Sequence, residues 1–217
     1  MKIAILASGG GSNLQSIINH FANDAKGVGS VVLVGSNRAD SGALQRARAA
    51  GVASHVIEDA TDGPSLHAAL KSAGADLLVL AGYLKLIPLE VVRAFSGRLL
   101  NVHPALLPAF GGHGMYGKRV HEAVLASGAK LSGVTVHFVN EEFDRGPIAA
   151  QWPVAVLAND TPQSLADRVL QIEHRLYPIV VEAVAAGIIR LDADRHVQGT
   201  LDKTSAFATD IPDLFLP

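Results

Sequence analysis

The sequence predicts an α/β protein built on a parallel sheet with helices on both faces. Three observations carry this. Short, continuously apolar runs alternate with helical patterns through the first half of the chain, which is the rhythm of βαβ units. Hydrophobic residues make up 49% of the chain and aromatics only 5%, so the core is Val, Leu, Ile and Ala, as buried parallel strands require. The first apolar run leads through three glycines into a helix, so the backbone turns sharply from strand to helix there.

In order, residues 3–7 read as the first strand, 13–21 as a helix and 31–35 as the second strand. Residues 41–50 look helical, 52–57 extended and 65–72 helical. Residues 77–80 and 99–102 are short apolar strands. The alternation in 133–139 marks a later strand of different character, and 149–156 pairs near it. Thr161 starts a long helix with Pro162 in its first turn, and Leu165, Val169, Ile172, Leu176, Ile179 and Val180 form its apolar stripe. Pro178, late in that helix, is expected to kink it or to end its first part. No repeat or linker divides the chain, so a single domain over 1–190 is expected, with a tail of 191–217 packed on it.

Composition excludes several function classes. The 18 basic and 20 acidic residues nearly cancel, leaving no bulk charge to attract nucleic acid or a membrane surface. No cysteine is present, which excludes disulfides, thiolate metal sites and cysteine nucleophiles. No run approaches the ~20 apolar residues of a membrane span, and the short N-terminal run does not read as a signal peptide. A cytoplasmic protein, monomer or homodimer, is expected.

The chemistry concentrates at Asn101-Val102-His103-Pro104. Asn101 and His103 sit two apart at the end of an apolar strand, so they point to one side. Strand ends of α/β sheets line the crevice where ligands bind. An amide donor beside an imidazole suits attack on a carbonyl. Asp144, in the Phe143-Asp144-Arg145-Gly146-Pro147 loop, is the best candidate for the partner carboxylate. The three together make an acyl-transfer site with no covalent nucleophile.

Ser8-Gly9-Gly10-Gly11-Ser12-Asn13 is the second constellation. Its glycines allow close backbone approach, and the first helical turn offers free N–H groups to an anion, best a single phosphate. Leu14 stands where a dinucleotide fingerprint needs glycine, and no Gly-Lys-Ser/Thr makes a P-loop. His137, on the alternating strand beside Thr135, reads as a structural histidine. His113, His121 and His174 lack metal-ligand spacing, so no metal is expected. Glu173, on the long helix, can bind a cationic amine if that end of the helix faces the crevice.

The strings AILASGGGSNLQSII, LAGYLKLIP, LLNVHPALLPAF, GVTVHFVNEEFDRGPIAAQ and RVLQIEHRLYP closely resemble the folate-dependent formyl transferases, and within them the glycinamide ribonucleotide branch. The resemblance runs in order from Lys2 to about Ile189. It implies an open, mostly parallel mixed sheet with helices on both faces, the Rossmann-like formyltransferase fold. It implies transfer of the formyl group of 10-formyltetrahydrofolate, a cosubstrate, to the amine of glycinamide ribonucleotide, without a metal. Carried over position by position, Asn101, His103 and Asp144 fall on the catalytic trio. Gly11, Ser12 and Asn13 fall on the substrate-phosphate loop, and Glu173 on the carboxylate near the glycyl amine or ribose. Tyr83, Leu84, Lys85, Leu86 and Ile87 resemble the folate-pocket wall, and Val139, Asn140 and Glu141 the loop over the pterin.

Two departures stand out. Residues 111–118 lengthen a stretch that the resemblance makes a mobile loop near the active site. Leu170 stands where some relatives carry a polar or basic residue near the phosphate, so Lys118 or Arg119 becomes the candidate cation. Formyltetrahydrofolate hydrolysis and a catalytically inactive nucleotide- or folate-binding module are the alternative functions. Initiator-tRNA formylation would need a basic surface that this composition lacks.

Overall fold

A seven-stranded sheet organises the computed structural model, which describes residues 1–199 and 201. The elements in chain order are β1 (Lys2–Leu6), α1 (Ser12–Ala22), β2 (Ser30–Ser36), α2 (Gly42–Ala49), β3 (Ala53–Val56) and α3 (Gly63–Ser72). Next come β4 (Leu77–Leu80), α4 (Leu89–Ala94), β5 (Leu99–His103), α5 (Lys118–Ala126) and β6 (Leu131–Phe138). β7 (Ile148–Ala155), α6 (Pro162–Ala185), β8 (Arg190–Leu191) and β9 (Val197–Gln198) complete them.

Strand order is β3-β2-β1-β4-β5-β6-β7, with β1 to β5 parallel and β6 and β7 antiparallel to their neighbours. The chain winds outward from β1 to β3, then returns to β4 on the other side of β1. That reversal opens a crevice at the strand ends. The mixed sheet with helices on both faces is the architecture expected, and the short apolar runs explain it. In β1, Ile3 and Ile5 face the α1/α6 side while Ala4 and Leu6 face the α3/α4 side, all fully buried. Each such strand therefore needs a helix layer above and below it.

Two short helices, α4 and α5, lie where no helical pattern was read. In α4 only six residues follow Pro88, and α5 emerges from the glycine-rich stretch. Ser41 and Asp62 cap α2 and α3 by accepting from Leu44 N and Ser65 N. Thr161 and Ser164 form the capping box of α6, and Arg168 grips Asp160 through two nitrogens at 2.7 and 2.8 Å.

Pro178 does not end α6, which runs on to Ala185. Leu176, Tyr177, Val180 and Val181 are all buried around it, so the turns on either side are held by packing. The Tyr177 hydroxyl also shares its proton between the carbonyls of Leu80 (3.0 Å) and Leu100 (3.2 Å), tying that turn to the sheet. Past α6, β8 and β9 pair as a two-stranded ribbon and Leu201 is buried. The remainder of the expected 191–217 tail, Thr200 and residues 202–217, lies outside the described residues. Among the described residues no helix is long and apolar enough to cross a membrane.

Candidate active site

The glycine turn is shaped by α2. Gly11 has φ +74°, and a Cβ there would fall 2.9 Å from Ala43 Cα, so only glycine fits. Gly9 O accepts from Ala43 N (3.1 Å) and Gly10 O from Arg46 Nε (2.8 Å). With these carbonyls turned toward α2, the trans peptides aim the N–H groups of Gly10 and Gly11 the opposite way. They join the first-turn amides of α1, a concentration of donors suited to an anion. Of the three residues read as the phosphate loop, Asn13 lines the crevice; Gly11 is buried against α2 and Ser12 is half-buried. Arg46 is the cation beside this turn. Lys118 instead lies 3.6 Å from Glu122, and Arg119 stacks over Tyr116 at 5.4 Å.

Asn13 meets Glu173 across the crevice floor. Its Nδ2 donates to the Glu173 carboxylate (2.5 Å), while its buried Oδ1 has no partner. Glu173 is only 8% exposed. Burial, partly offset by the Asn13 hydrogen bond, pushes its carboxyl up from 4.5 to about 7. Asn13 Oδ1 and Glu173 together present two acceptors that an amine or hydroxyl can satisfy.

Asn101 and His103 continue the face of Leu99 beyond the cover of α4, which is why they reach the crevice. The antiparallel register sets His137 opposite Asn101 and Thr135 opposite His103. Thr135 Oγ1 donates to Ala105 O (2.7 Å) and accepts from Leu107 N (3.0 Å), fixing the chain that leaves His103.

Asp144 enters from the β6–β7 connection with φ +53°, a left-handed conformation rare for a side-chain-bearing residue. Two residues on, a Cβ at Gly146 would fall 1.7 Å from Phe138 O, so glycine at 146 is a steric requirement of this crossing. Asp144 Oδ2 accepts from Gly112 N (3.0 Å) and lies 3.5 Å from His103 Nδ1; Oδ1 lies 3.5 Å from both Asn101 Nδ2 and His137 Nε2.

The tautomers follow from carbonyl partners, which only accept. His103 Nε2 donates to Phe110 O (2.8 Å), and His137 Nδ1 donates to Phe138 O (3.0 Å). His137 Nε2 then accepts from Asn101 Nδ2 (3.1 Å) and orients that amide. His137 is thus part of the cluster, contrary to the reading of it as purely structural. Burial lowers His103 more than Asp144 and the Phe110 carbonyl raise it, so its imidazole is neutral near pH 7. Burial pushes Asp144 up, but a hydrogen bond from His137 when its Nε2 carries a proton, the Gly112 N–H and the positive charge that His103 and His137 carry when protonated outweigh it and hold it below its ordinary range. The result is an ionised carboxylate facing the unprotonated nitrogen of an imidazole. A proton arriving on Nδ1 is stabilised at once.

The crevice encloses about 300 Å³. One wall is the segment 82–87: Tyr83 and Ile87 are buried in the core beneath it, while Leu84, Lys85 and Leu86 are exposed along its lip. Val139, Asn140, Glu141, Glu142 and Phe143 form the facing lip, and Met115 and Tyr116 of the glycine-rich stretch also reach the crevice. Five of the ten large apolar side chains exposed among the described residues line it, which marks a ligand groove. Among the described residues Lys85 is the only Lys or Arg that lines it, against the carboxylates of Glu142, Asp144, Glu173 and Glu141, the last paired with Arg93 at 3.0 Å.

A family profile described as formyl transferase matches residues 1–181. The chain belongs to the formyl transferase family. Among family members, a chloroplastic phosphoribosylglycinamide formyltransferase of Arabidopsis thaliana is 50% identical over 89% of this chain and 68% of its own length. The phosphoribosylglycinamide formyltransferase of Escherichia coli K12 is 37% identical over 88% of this chain and 90% of its own. The crystal structure of glycinamide ribonucleotide transformylase 1 from Symbiobacterium toebii superposes with a TM-score of 0.83, covering 93% of this chain and 94% of its own at 39% identity. The fold of this formyl transferase family member is that of its solved relatives.

Proposed function

We propose that the chain transfers the formyl group of 10-formyltetrahydrofolate to the amine of glycinamide ribonucleotide, in purine biosynthesis. The observation that carries this reading is the position of the Asn101–His103–Asp144 cluster between two dissimilar halves of one crevice. One half offers the Asn13–Glu173 acceptors for a ribose or glycyl amine and lies beside the glycine turn, whose backbone amides suit a phosphate. The other half is an apolar slot of Leu84, Leu86, Leu89, Val92 and Phe143, suited to a flat pterin and its aromatic extension. A donor and an acceptor laid end to end meet at His103.

The amine lone pair attacks the formyl carbon and the carbonyl oxygen becomes an oxyanion. Asn101 Nδ2 donates to it, already aimed by His137. His103 takes on Nδ1 the proton that the substrate ammonium sheds on becoming a nucleophile, gives up its contact with Phe110 O and donates as an imidazolium, whose charge Asp144 balances until that proton returns to solvent. The bond from formyl carbon to folate nitrogen then breaks, and the proton lost by the amine passes to that nitrogen, through water held at Asp144. No covalent enzyme intermediate forms.

The test is a paired assay of tetrahydrofolate release with and without glycinamide ribonucleotide. Release that requires the ribonucleotide, with the formyl group recovered on its amine, supports the reading. Equal release without it establishes a hydrolase instead. Binding of both ligands without release would leave a binding module.

A further inference from the structure

We infer that Ser8 is a positioning residue for the formyl-donor half of the crevice. This rests on the assignment of the 82–87 wall to the folate. That wall is neither helix nor strand. Among the described residues its backbone has two hydrogen bonds, and both run to Ser8: Gly82 O accepts from Ser8 N (3.0 Å) and Leu84 N donates to Ser8 Oγ (3.0 Å). Ser8 is 5% exposed and does not line the crevice, so it touches no ligand.

Its hydroxyl cannot turn freely. The Oγ proton is committed to Asn37 Oδ1 at 2.7 Å, which leaves a lone pair facing the Leu84 N–H. One hydroxyl thus joins the ends of three neighbouring strands: β1 through Ser8, β2 through Asn37 and β4 through Leu84. Tyr83 and Ile87 anchor the wall by burial, but they flank the exposed Leu84, Lys85 and Leu86 without fixing their direction. The Leu84 amide is the fixed point between those anchors. The glycine turn after Ser8 is held separately, by Ala43 N and Arg46 on the carbonyls of Gly9 and Gly10. Loss of the Ser8 hydroxyl therefore acts on the donor side alone.

The experiment compares wild type, Ser8→Ala and Ser8→Thr by steady-state kinetics in both substrates, with amide hydrogen exchange over 82–87. The expected result for Ser8→Ala is a KM for the formyl donor raised about tenfold, as for the loss of one wall-positioning hydrogen bond. The KM for glycinamide ribonucleotide should stay within twofold, exchange at Leu84 should be faster, and Ser8→Thr should recover most of the donor KM. Equal rises in both KM values overturn the proposal, as does wild-type exchange at Leu84. Faster exchange with an unchanged donor KM also overturns it, while leaving the transferase reading intact. Wild-type protein inactive toward the donor would instead sink the transferase reading. If Ser8→Ala does not fold, Asn37→Ala releases the hydroxyl and should raise the donor KM about threefold; no change there overturns the proposal.

Discussion

Replacing Glu173 with Gln should make the protein more stable and less able to hold its substrate, and the stability gain should depend on pH. The carboxyl titrates near 4.5 when unfolded and at about 7 in the fold, because burial disfavours its charged form. Between those values the folded state binds more protons than the unfolded one, so stability falls as pH rises through the window and is flat above it. At 1.36 kcal/mol per pKa unit, the loss is about 3 kcal/mol by pH 8, a sizeable share of a domain's total. Gln cannot ionise, and its amide oxygen can still accept from Asn13 Nδ2. The difference between variant and wild type should therefore start near zero at pH 4 and grow to about 3 kcal/mol above pH 7. Urea unfolding at constant temperature across pH 4–8.5, with the slope m unchanged, reads this directly. A difference that does not vary with pH would refute the reasoning, since Glu173 would then not be a buried carboxylate at all. The same variant should lose at least tenfold in affinity for glycinamide ribonucleotide, because an ammonium group would no longer meet an anion.

Asp144→Asn should lower turnover about a hundredfold, in the range of lost acid–base assistance. It should also move the limb of the pH–rate profile that reports His103 to lower pH, because the carboxylate raises that imidazole; a limb at the wild-type position would exclude the coupling. Gly11→Val should cost about 2 kcal/mol or more in stability, from a left-handed φ and a Cβ pressed on Ala43, and raise the ribonucleotide KM; chemical denaturation and kinetics check both. Tyr83→Phe should stabilise by about 1 kcal/mol, since the buried hydroxyl has no partner; a loss of stability in the same assay would mean that a water or ligand satisfies it.

The strands were legible because parallel strands buried on both faces leave unbroken apolar runs, as in Leu77-Leu78-Val79-Leu80. The spacing of Asn101 and His103 gave their common side, and the turn chemistry around Asp144 placed it in a loop. What could not be read was pairing across the sheet. His137 joins the cluster only because the antiparallel register sets it against Asn101, 36 residues away in sequence. Nothing local distinguishes it from a core histidine. Arg46 was hidden for a similar reason: its contact with Gly10 depends on how α2 docks, not on any motif. The carbonyl of Phe110, which holds His103 in the unliganded site, is a backbone group at φ +55° and has no signature in side-chain identity. Pro178 was expected to kink the helix or to end its first part, and of these the ending does not occur, because packing around Tyr177 carries α6 through it.

The uneven charge of the crevice has a consequence for how a long ligand enters. Lys85, the one Lys or Arg among its described lining residues, stands exposed on the lip, while Asp144 and Glu173 lie deep and Glu142 stands on the facing lip beside Glu141, which Arg93 pairs at 3.0 Å. On the formyl-donor side, an anionic tail is held at the rim by the lysine, away from the Asp144 carboxylate. The charge at the rim thus favours, on that side, entry with the neutral end leading.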